Sequence, residues 1–287
     1  MILFDIIKGD VLEVLNGFDV KPRFALTFLD PPFNQGKTYE KHDDDIPSVE
    51  YWEWMTSICE KIYSLTLDGG SIYFMQREKN VHRVLKSLLD TSWTFQNLII
   101  WKKKTSAVPQ AARFSKQYQV IAFATKGDTP RVFNKLKIDL PLNDDQKIPR
   151  ENGVYVTDVW DDILELTSGF YAGDEAIRDS MTGERLHDQQ SPIALLLRIL
   201  LSSTKKNDNV LDPFAGTGTT SIVANQLRRN SINIDSSRKN IDIIEKRIND
   251  ERSTDDIDKY LDYYKHTKDI ETIWKSTSKR NGLKNFI

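Results

Sequence analysis

Short runs of apolar residues alternate along the chain with longer stretches in which apolar residues recur every three or four positions. The short runs are typical of buried β-strands and the longer stretches of amphipathic α-helices. The predicted strands are 24–29, 71–75, 98–101, 120–124, 209–211 and 232–234. The predicted helices are 48–66, 79–90, 191–204, 218–229 and 238–252. Strands separated by helices predict an α/β fold with a doubly wound, mostly parallel sheet and helices on both faces.

Residues 102–190 interrupt this alternation with a stretch that is rich in turns and charge. It contains four prolines and, apart from the predicted strand 120–124, no long periodic element. Loop-rich insertions on a rigid scaffold often carry recognition, so we interpret the stretch as an irregular insertion with that role. The expected parts are 1–101 for the first half of the sheet domain, 102–190 for its last strand or strands and the insertion, 191–252 for the second half, and 253–287 for a helical tail.

The composition fits a globular protein and excludes several classes. Hydrophobic residues make up 39% and charged residues 29% of the 287 positions, and the mean hydropathy is -0.49. No apolar run approaches the roughly 18 residues that a membrane span needs, and the N-terminus lacks the pattern of a secretory signal. The single cysteine, Cys59, excludes an internal disulfide and a cysteine-built metal site. We expect a cytoplasmic protein with no contact to a membrane and no metal.

The net charge of -2 hides a strong local asymmetry. Residues 100–137 carry nine basic side chains and one acid, a net +8, whereas residues 138–188 carry thirteen acids and four basic side chains, a net -9. A basic segment can present a positive face to a polyanion even in an acidic protein. Solvated charge without any partner explains the pattern equally well at this point.

The predicted strand 24–29 runs directly into Asp30-Pro31-Pro32-Phe33. The two prolines fix the backbone in an extended form and stop strand pairing, so the neighbouring carbonyls point in set directions. A carboxylate, a presented carbonyl and an aromatic ring suit a planar group that carries an NH2, because the two acceptors take its hydrogens while the ring stacks on its face. The alternative is a strand-ending turn with an incidental aspartate.

The predicted strand 209–211 runs into the glycine-rich segment Asp212-Pro213-Phe214-Ala215-Gly216-Thr217-Gly218-Thr219-Thr220. Glycines let the backbone approach a ligand closely, and the N–H groups at the following helix start favour a carboxylate or phosphate. No lysine follows the last glycine, which excludes a phosphate-binding P-loop, and Ser221 weakens a dinucleotide fingerprint. The next predicted strand ends in Asp235, an acid placed to bind ribose hydroxyls.

Together the two motifs resemble those of the S-adenosylmethionine-dependent DNA amino-methyltransferases. Their order, with Asp-Pro-Pro-Phe first and the glycine-rich motif 182 residues later, resembles the permuted β group of that family. Further matches in family order are Gly9-Asp10, Gly69-Gly70-Ser71, Trp101-Lys102 and Asp158-Val159-Trp160. The resemblance covers about residues 5–252 and implies a Rossmann-like fold, in which ligands bind where the strand order reverses. We therefore expect the tips of strands 24–29 and 209–211 to share one cleft.

The resemblance also implies a role for each group of residues. In the catalytic motif, Asp30 and the Pro31 carbonyl accept the hydrogens of a nucleobase amine, Pro32 rigidifies the turn and Phe33 stacks on the base. The residues implied to bind S-adenosylmethionine are Asp10, Ser191, Pro192, Asp212, Phe214, Ala215, Gly216, Thr217, Gly218, Thr219 and Asp235. The residues implied to bind DNA phosphates are Lys102, Lys103, Lys104, Arg113 and Lys116.

This chain departs from the family pattern in the segment before the glycine-rich motif. The family often has His-x-x-Gln-Lys-Pro there, and this chain has His187-Asp188-Gln189-Gln190-Ser191-Pro192. Serine in place of lysine puts a charged contact to the cofactor's carboxylate in doubt. The hydroxyl of Ser191 or the helix start at Pro192 is the expected replacement donor. His187 itself is interpreted as a surface or packing residue.

The resemblance implies a site-specific enzyme that methylates the N6 amine of an adenine flipped out of double-stranded DNA, because the family tends to pair Asp-Pro-Pro with adenine and Ser-Pro-Pro with cytosine. N4-cytosine methylation is the alternative, whereas C5-cytosine methylation needs a thiolate and Cys59 lies among core positions of a predicted helix. An inactive nucleic-acid-binding relative and methylation of RNA or a protein amide stay open. The family context implies restriction–modification with a cognate restriction endonuclease, and a homodimer for which the aromatic tail is a candidate surface.

Overall fold

The structure is a computed structural model that describes residues 4–34, 47–104, 111–112, 114–139, 151–166, 174–179, 181–187, 189–250 and 252–274. The strands are β1 (Phe4–Lys8), β2 (Phe24–Leu29), β3 (Thr66–Arg77), β4 (Thr94–Lys102), β5 (Tyr118–Thr125), β6 (Lys137–Ile138), β7 (Val154–Tyr155), β8 (Val159–Trp160), β9 (Asn209–Asp212) and β10 (Asn230–Asp235). The helices are α1 (Val11–Asn16), α2 (Ser48–Leu65), α3 (Val81–Asp90), α4 (Ile193–Ser203), α5 (Thr219–Gln226), α6 (Arg238–Asn249) and α7 (Ile270–Trp274). No helix in these ranges is both long and apolar enough to cross a bilayer.

Eight strands form one sheet in the order β1-β10-β9-β2-β3-β5-β4-β8. At its centre β2 and β9 are parallel neighbours, with Leu26 opposite Val210 and Thr27 opposite Leu211. From β9 the chain crosses through α5 to β10 on one side, and from β2 it crosses through α2 to β3 on the other. The strand order therefore reverses between β2 and β9, where a ligand cleft is expected. The prediction that these two strand tips lie side by side is confirmed.

Both faces of the sheet are buried, because successive residues of a strand point to opposite sides. In β3, Ile72 and Phe74 pack with α1, α2 and α3 on one face. Tyr73 and Met75 pack with α4 and α5 on the other face. Burial on both sides explains why the central strands read as continuous apolar runs instead of alternating patterns.

The stretch 102–190 contributes strands to the sheet, as expected. β5, predicted at 120–124, lies between β3 and β4 and is antiparallel to both. β8 comes from the same stretch and adds a parallel edge strand to β4. β1 is absent from the prediction, yet it pairs in parallel with β10 along its whole length. Gly69 and Gly70, which precede the predicted strand 71–75, lie within the longer strand β3.

The tail is not one long helix. Its described part consists of α7 preceded by three single-turn 3-10 helices, Ser253–Asp255, Asp258–Tyr260 and Asp262–Tyr264. Tyr264 and Trp274 are buried in the core formed with α4 and α5, and Tyr260 and Tyr263 pack against it. These aromatic side chains contribute to the subunit's own core, so a homodimer through the tail stays a prediction without support from these contacts.

Candidate active site

A cleft of about 1160 Å³ opens at the carboxyl ends of the strands on both sides of the reversal point. Five acids among the described residues line it, and three of them stand at the ends of strands: Asp30 directly after β2, Asp212 at the end of β9 and Asp235 at the end of β10. Residues 213–217, between β9 and α5, line it as well. The fold thus brings both sequence motifs to one space, although Asp30 and Asp212 are 182 residues apart in the chain.

The carboxyl group of Asp30 is surrounded by protein, although the residue keeps partial access to the cleft. The Ser191 hydroxyl donates a hydrogen bond to Asp30 Oδ2 across 3.2 Å. Burial and, to a smaller extent, the nearby charge of Asp212 raise the pKa of Asp30 to about 8, while Ser191 and Lys103 act in the opposite direction. A carboxylate with this pKa is a stronger proton acceptor than an exposed one.

Tyr51 of α2 fixes the backbone of the Asp-Pro-Pro-Phe motif. Its hydroxyl donates to the Pro32 carbonyl across 2.6 Å and accepts a hydrogen bond from Gln76 Nε2 at 3.2 Å. The side chains of Tyr51 and Gln76 are buried, so water does not compete for these contacts. With the Pro32 carbonyl held in this way, Pro31 lines the cleft beside Asp30.

The acids of the cleft hold the glycine-rich turn in shape. Asp212 Oδ1 accepts a hydrogen bond from the Phe214 backbone at 3.2 Å, and Oδ2 accepts one from the Thr220 hydroxyl at 2.5 Å. The Gly216 N–H donates to Asp235 Oδ2 at 2.9 Å. Burial raises the pKa of Asp212 to about 7, against the hydrogen bonds from Thr220 and Phe214 and with a further contribution from Asp235. The turn is therefore bonded to the same carboxyl groups that line the cleft.

Gly216 and Gly218 both have positive φ, +51° and +76°. A Cβ atom on Gly218 would lie 2.9 Å from Ile244 of α6, a distance that side chains do not tolerate. On Gly216 a Cβ atom would meet the His187 ring at the ordinary distance of 3.6 Å. The backbone conformation thus favours glycine at both positions, and packing against α6 is a second reason for glycine at 218.

Arg247 of α6 supports the same turn from behind. Its guanidinium donates to the Thr217 carbonyl and to the Thr219 hydroxyl, each at 3.0 Å. It also forms a bidentate pair with Asp255, at 2.7 and 2.8 Å, and both side chains are buried. The first turn of the tail is therefore tied through one arginine to the wall of the cleft.

The end of the cleft near β1 and β10 carries carboxylates and amines. Asp10 is the N-cap of α1 and accepts two backbone N–H hydrogen bonds, at 2.8 and 3.1 Å. Asp235 Oδ1 accepts a hydrogen bond from Asn240 at 3.1 Å. Lys8 and Lys239 line the cleft at the same end. This end offers carboxylate acceptors to a ligand that carries hydroxyl groups.

A smaller cavity of about 230 Å³ adjoins Asp30. Asp30, Gln189 and Ser191 line both spaces, so the cleft and the smaller cavity meet at the Asp30 carboxyl group. The rest of the smaller wall includes aromatic and basic side chains, among them Phe33, Trp101, Tyr118, Lys103 and Lys116. Aromatic rings next to a hydrogen-bond acceptor suit a planar ligand.

Comparison with protein families identifies the chain. Residues 24–246 match the model of a family described as DNA methylase, comprising N6 and N4 methyltransferases. The match spans more than three quarters of the chain and includes both motifs. This chain belongs to the DNA methylase family.

Individual relatives agree with this assignment. The methylase is 31% identical over 263 residues to the Type II methyltransferase M.HinfI of Haemophilus influenzae, covering 85% of this chain and 67% of that one. The crystal structure of the M1.HpyAVI–SAM complex superposes with a TM-score of 0.59 at 21% identity, over 86% of this chain and 100% of that one. The cytosine-N4-specific PvuII DNA methyltransferase superposes with a TM-score of 0.65 at 17% identity, over 92% of both chains. At these identities, the two structures show a shared fold.

The structure brings most of the predicted cofactor residues of the methylase together. Those that line the cleft are Asp10, Ser191, Asp212, Phe214, Ala215, Gly216, Thr217, Thr219 and Asp235. Pro192 and Gly218 lie outside this lining, because Pro192 precedes α4 as its N-cap and Gly218 packs against Ile244. We therefore assign these last two residues a role in shaping the wall.

The two donors expected to replace the missing lysine are used within the protein. The Ser191 hydroxyl donates to Asp30, so it serves the catalytic motif. At the start of α4, the backbone N–H of Ile193 donates to Glu175 Oε1 at 2.6 Å. In the described residues Glu175 thus caps the helix and Ser191 bonds the aspartate, and donation from either group to the cofactor stays a prediction.

The predicted phosphate-binding lysines fall into two groups. Lys103 and Lys116 line the smaller cavity, where Lys116 forms an ion pair with Glu78. Lys102 and Lys104 are exposed at the end of β4. Arg113 lies outside the described residues.

Cys59 is buried on α2 within the core. Burial raises the pKa of its thiol well above the ordinary value, which disfavours the thiolate. The interpretation of Cys59 as a packing residue is confirmed, and a ring-carbon mechanism that needs a thiolate has no candidate nucleophile in this side chain.

Several residues of the cleft are missed by the sequence reasoning. His187, interpreted as a surface or packing residue, lines the cleft and faces Gly216. Lys8 ends strand β1, which the sequence interpretation does not include. The short apolar pattern before the capping residue Asp10 is the sequence feature that indicates this strand. Trp54 and Arg185 also line the cleft, and no local sequence pattern marks either of them.

Proposed function

We propose that this methylase transfers a methyl group from S-adenosylmethionine to the N6 amine of an adenine flipped out of double-stranded DNA. The observation that carries the proposal is the shared cleft, since Asp30 and the turn at Gly216 line one space. Group transfer requires that the donor and the acceptor amine be held together in a fixed orientation. A cofactor held at the turn lies next to an amine held at Asp30.

The cleft fits S-adenosylmethionine in size and in chemistry. Its volume of about 1160 Å³ accommodates a nucleoside joined to an amino acid. Asp235 ends the strand after the glycine-rich turn, the position at which an acid binds ribose hydroxyls in related folds. Phe214 and Trp54 add aromatic surface, and the buried Nη2 atom of Arg185 has no hydrogen-bond partner among the described residues. An orphaned cationic donor in the wall fits a ligand with an acidic group.

Asp30 and Pro31 hold and activate the amine. The lone pair of an exocyclic nucleobase amine is delocalised into the ring, so the nitrogen is a weak nucleophile. When bound, S-adenosylmethionine supplies an electrophilic methyl group on a sulfonium sulfur. Asp30 and the Pro31 carbonyl accept the two N–H hydrogens and favour a tetrahedral nitrogen whose lone pair faces the cleft. As the nitrogen gains positive charge, the Asp30 carboxylate stabilises it and, with a pKa near 8, accepts the proton that it releases.

The smaller cavity receives the target base in this proposal. A base inside a duplex cannot reach Asp30, so it leaves the stack at a cost of a few kcal/mol. Phe33 and Trp101 line the cavity and offer rings for stacking. Lys102 and Lys104 are exposed at the carboxyl end of β4, where they are placed to contact phosphates.

The choice of adenine depends on Asp30, because the family tends to pair Asp-Pro-Pro with adenine. The test offers purified full-length enzyme and isotopically labelled S-adenosylmethionine to bacterial genomic DNA, to RNA and to protein in separate reactions, and mass spectrometry then locates the label. We expect labelled N6-methyladenine, and Asp30→Asn should remove it. N4-methylcytosine alone would overturn the choice of base. Labelled RNA or protein with unlabelled DNA, or binding without any transfer, would overturn the proposed function.

We also propose a place in a restriction–modification system in the cytoplasm, with a cognate restriction endonuclease that cuts the unmodified site. The support is the similarity to M.HinfI, a Type II methyltransferase. Sequencing that maps modified bases in cells expressing the gene reports the base together with its sequence context. A single modified motif is expected, and methylation without sequence preference would contradict the assignment.

A further inference from the structure

A short antiparallel segment carries Arg185 to the wall of the cleft. Arg178 and Arg185 form an antiparallel bridge, flanked by backbone hydrogen bonds from Leu186 to Ile177 at 3.0 Å and from Asp179 to Glu184 at 2.8 Å. Arg185, Leu186 and His187 line the cleft. This segment was not singled out by the sequence motifs, so the position of its arginine is a property of the fold.

The two bridged arginines differ in solvent exposure and in hydrogen bonding. Arg178 is exposed and donates from Nη1 to the Gly183 carbonyl at 2.9 Å. Arg185 is partly buried, and its Nη2 atom is shielded from solvent without a hydrogen-bond partner among the described residues. Burying an N–H group of a cation without an acceptor is unfavourable, so native proteins seldom leave one unmatched. Because Arg185 also lines the cleft, a ligand bound there can supply the acceptor that its guanidinium lacks.

Arg185 belongs to the segment that leads to Asp30. The chain runs from Arg185 through His187, which faces Gly216, to Ser191, which bonds Asp30. The Ser191 hydroxyl and, at the start of α4, the Ile193 N–H donate to protein acceptors. Arg185 brings a permanently charged donor to the cleft, and a carboxylate is a ligand group that such a donor binds well.

We propose that Arg185 binds the carboxylate of the methionine moiety of S-adenosylmethionine, and so supplies the positive charge that Ser191 lacks. The inference rests on the proposed cofactor and adds the residue that recognises one of its groups. Guanidinium and carboxylate groups match in charge and can form two parallel hydrogen bonds. Arg185 is thus a binding residue that distinguishes the complete cofactor from fragments without the acid.

The test compares two nucleosides that differ only in the carboxylate, S-adenosylhomocysteine and its decarboxylated analogue S-adenosyl-3-thiopropylamine. Calorimetry on the full-length protein gives the dissociation constant of each ligand for the unmodified protein and for Arg185→Gln. We expect Arg185→Gln to weaken S-adenosylhomocysteine by about 10- to 100-fold and the analogue by less than about 3-fold. The matched control is Arg178→Gln, which removes the bridged arginine outside the cleft and should change neither constant.

The outcomes separate this inference from the proposed function. An equal loss for both ligands, or no loss for either, would overturn the role of Arg185 in carboxylate binding. Loss of DNA affinity with unchanged affinity for S-adenosylhomocysteine would overturn it in favour of a phosphate contact. If the unmodified protein binds neither nucleoside, the proposed function itself fails. Retained binding of the analogue shows that Arg185→Gln is folded, and Arg185→Lys is expected to recover part of the discrimination.

Discussion

The Ser191 hydroxyl lies 3.2 Å from Asp30 Oδ2 and donates a hydrogen bond to it. The bond joins the segment before α4 to the catalytic turn after β2, at the place where the cleft and the smaller cavity meet. It stabilises the ionised form of Asp30, whose pKa is otherwise raised by burial and by Asp212. Ser191, which departs from the family pattern, thereby acts on the carboxyl group that we propose as the proton acceptor.

Replacing Ser191 with alanine should move the pH dependence of methylation. In the proposed mechanism the ionised form of Asp30 accepts the proton, so kcat/KM for DNA should rise with pH through the pKa of Asp30, which is about 8 in the unliganded protein. Loss of a hydrogen bond to a charged group raises that pKa further, by about one pH unit. A pH–rate profile should therefore show its rising limb displaced upward in Ser191→Ala. An unchanged limb would mean that Ser191 does not tune Asp30.

Asp30→Asn should separate catalysis from cofactor binding. The amide loses the negative charge and the proton-accepting oxygen, and a missing positioned base typically costs about 10²- to 10⁴-fold in rate. The glycine-rich turn stays intact, so we expect the affinity for the product S-adenosylhomocysteine, which lacks the sulfonium charge, to change by less than about 3-fold. Single-turnover methylation and calorimetry measure the two quantities. A variant with near-normal turnover would show that the amine is activated by another group.

The same substitution should stabilise the unliganded protein at high pH. The folded pKa values of Asp30 and Asp212, about 8 and about 7, lie above the ordinary value of 3.8, so the folded state holds protons that the unfolded state releases. The free energy of unfolding therefore falls as the pH rises from about 4 to about 8. For each carboxyl group that stays protonated only in the folded state, the fall is about 1.4 kcal/mol per pH unit.

Asparagine at position 30 removes that charge, so thermal unfolding of Asp30→Asn should occur at a higher temperature than that of the unmodified protein at pH 8. The difference should shrink towards pH 5. The control is Asp128→Asn, at an exposed position on the loop after β5. A gain that is equal at both pH values would point to packing instead of charge as the cause.

Tyr51→Phe should impair catalysis through the backbone of the catalytic turn. The change removes the 2.6 Å hydrogen bond to the Pro32 carbonyl, at a cost to stability of about 1 to 2 kcal/mol. Because Tyr51 positions the turn without lining the cleft, we expect kcat to fall several-fold with little change in KM for the cofactor. Ser57→Ala, at an exposed position of the same helix, is the control. A change in the cofactor KM with normal kcat would contradict this positioning role.

Substitutions at the two glycines of the turn should impair different properties, cofactor binding at Gly216 and stability at Gly218. Gly216→Val forces a branched side chain onto a backbone with φ of +51° at the wall of the cleft, so cofactor binding should be lost while the protein stays folded. Gly218→Ala places a Cβ atom 2.9 Å from Ile244, so the main expected effect is a lower unfolding temperature. Calorimetry and thermal unfolding on both variants distinguish the two outcomes. Equal effects on binding and stability would show that the turn responds as one unit.

Much of the sheet could be predicted because its central strands are buried on both faces. Strand β2 reads as an unbroken apolar run that stops at two prolines, and the observed bounds 24–29 agree with the prediction. β1 has only five residues and includes Asp5, so its pattern does not stand out. The place of β5 between β3 and β4 depends on antiparallel pairing over a long sequence separation, which no local pattern specifies.

The candidate site likewise contains some residues that the sequence indicates and others that only the structure shows. Asp30 and Gly216 belong to contiguous motifs, so the sequence indicated them together with their chemistry. Tyr51 and Arg185 act through contacts that only the tertiary structure creates, from a helix and from a short antiparallel segment. Ser191 departs from the family motif, which the sequence shows. Its hydrogen bond to Asp30 depends on the tertiary structure, and no sequence pattern indicates it.

The parallel pairing of β1 with β10 has a consequence for the newly made enzyme. A ribosome adds about 5 to 20 residues per second and releases the first strand long before the tenth. The wall built by Lys8 and Asp235 cannot close until more than two hundred further residues have been translated. A chain whose synthesis stops before Asp235 therefore lacks this wall of the cleft.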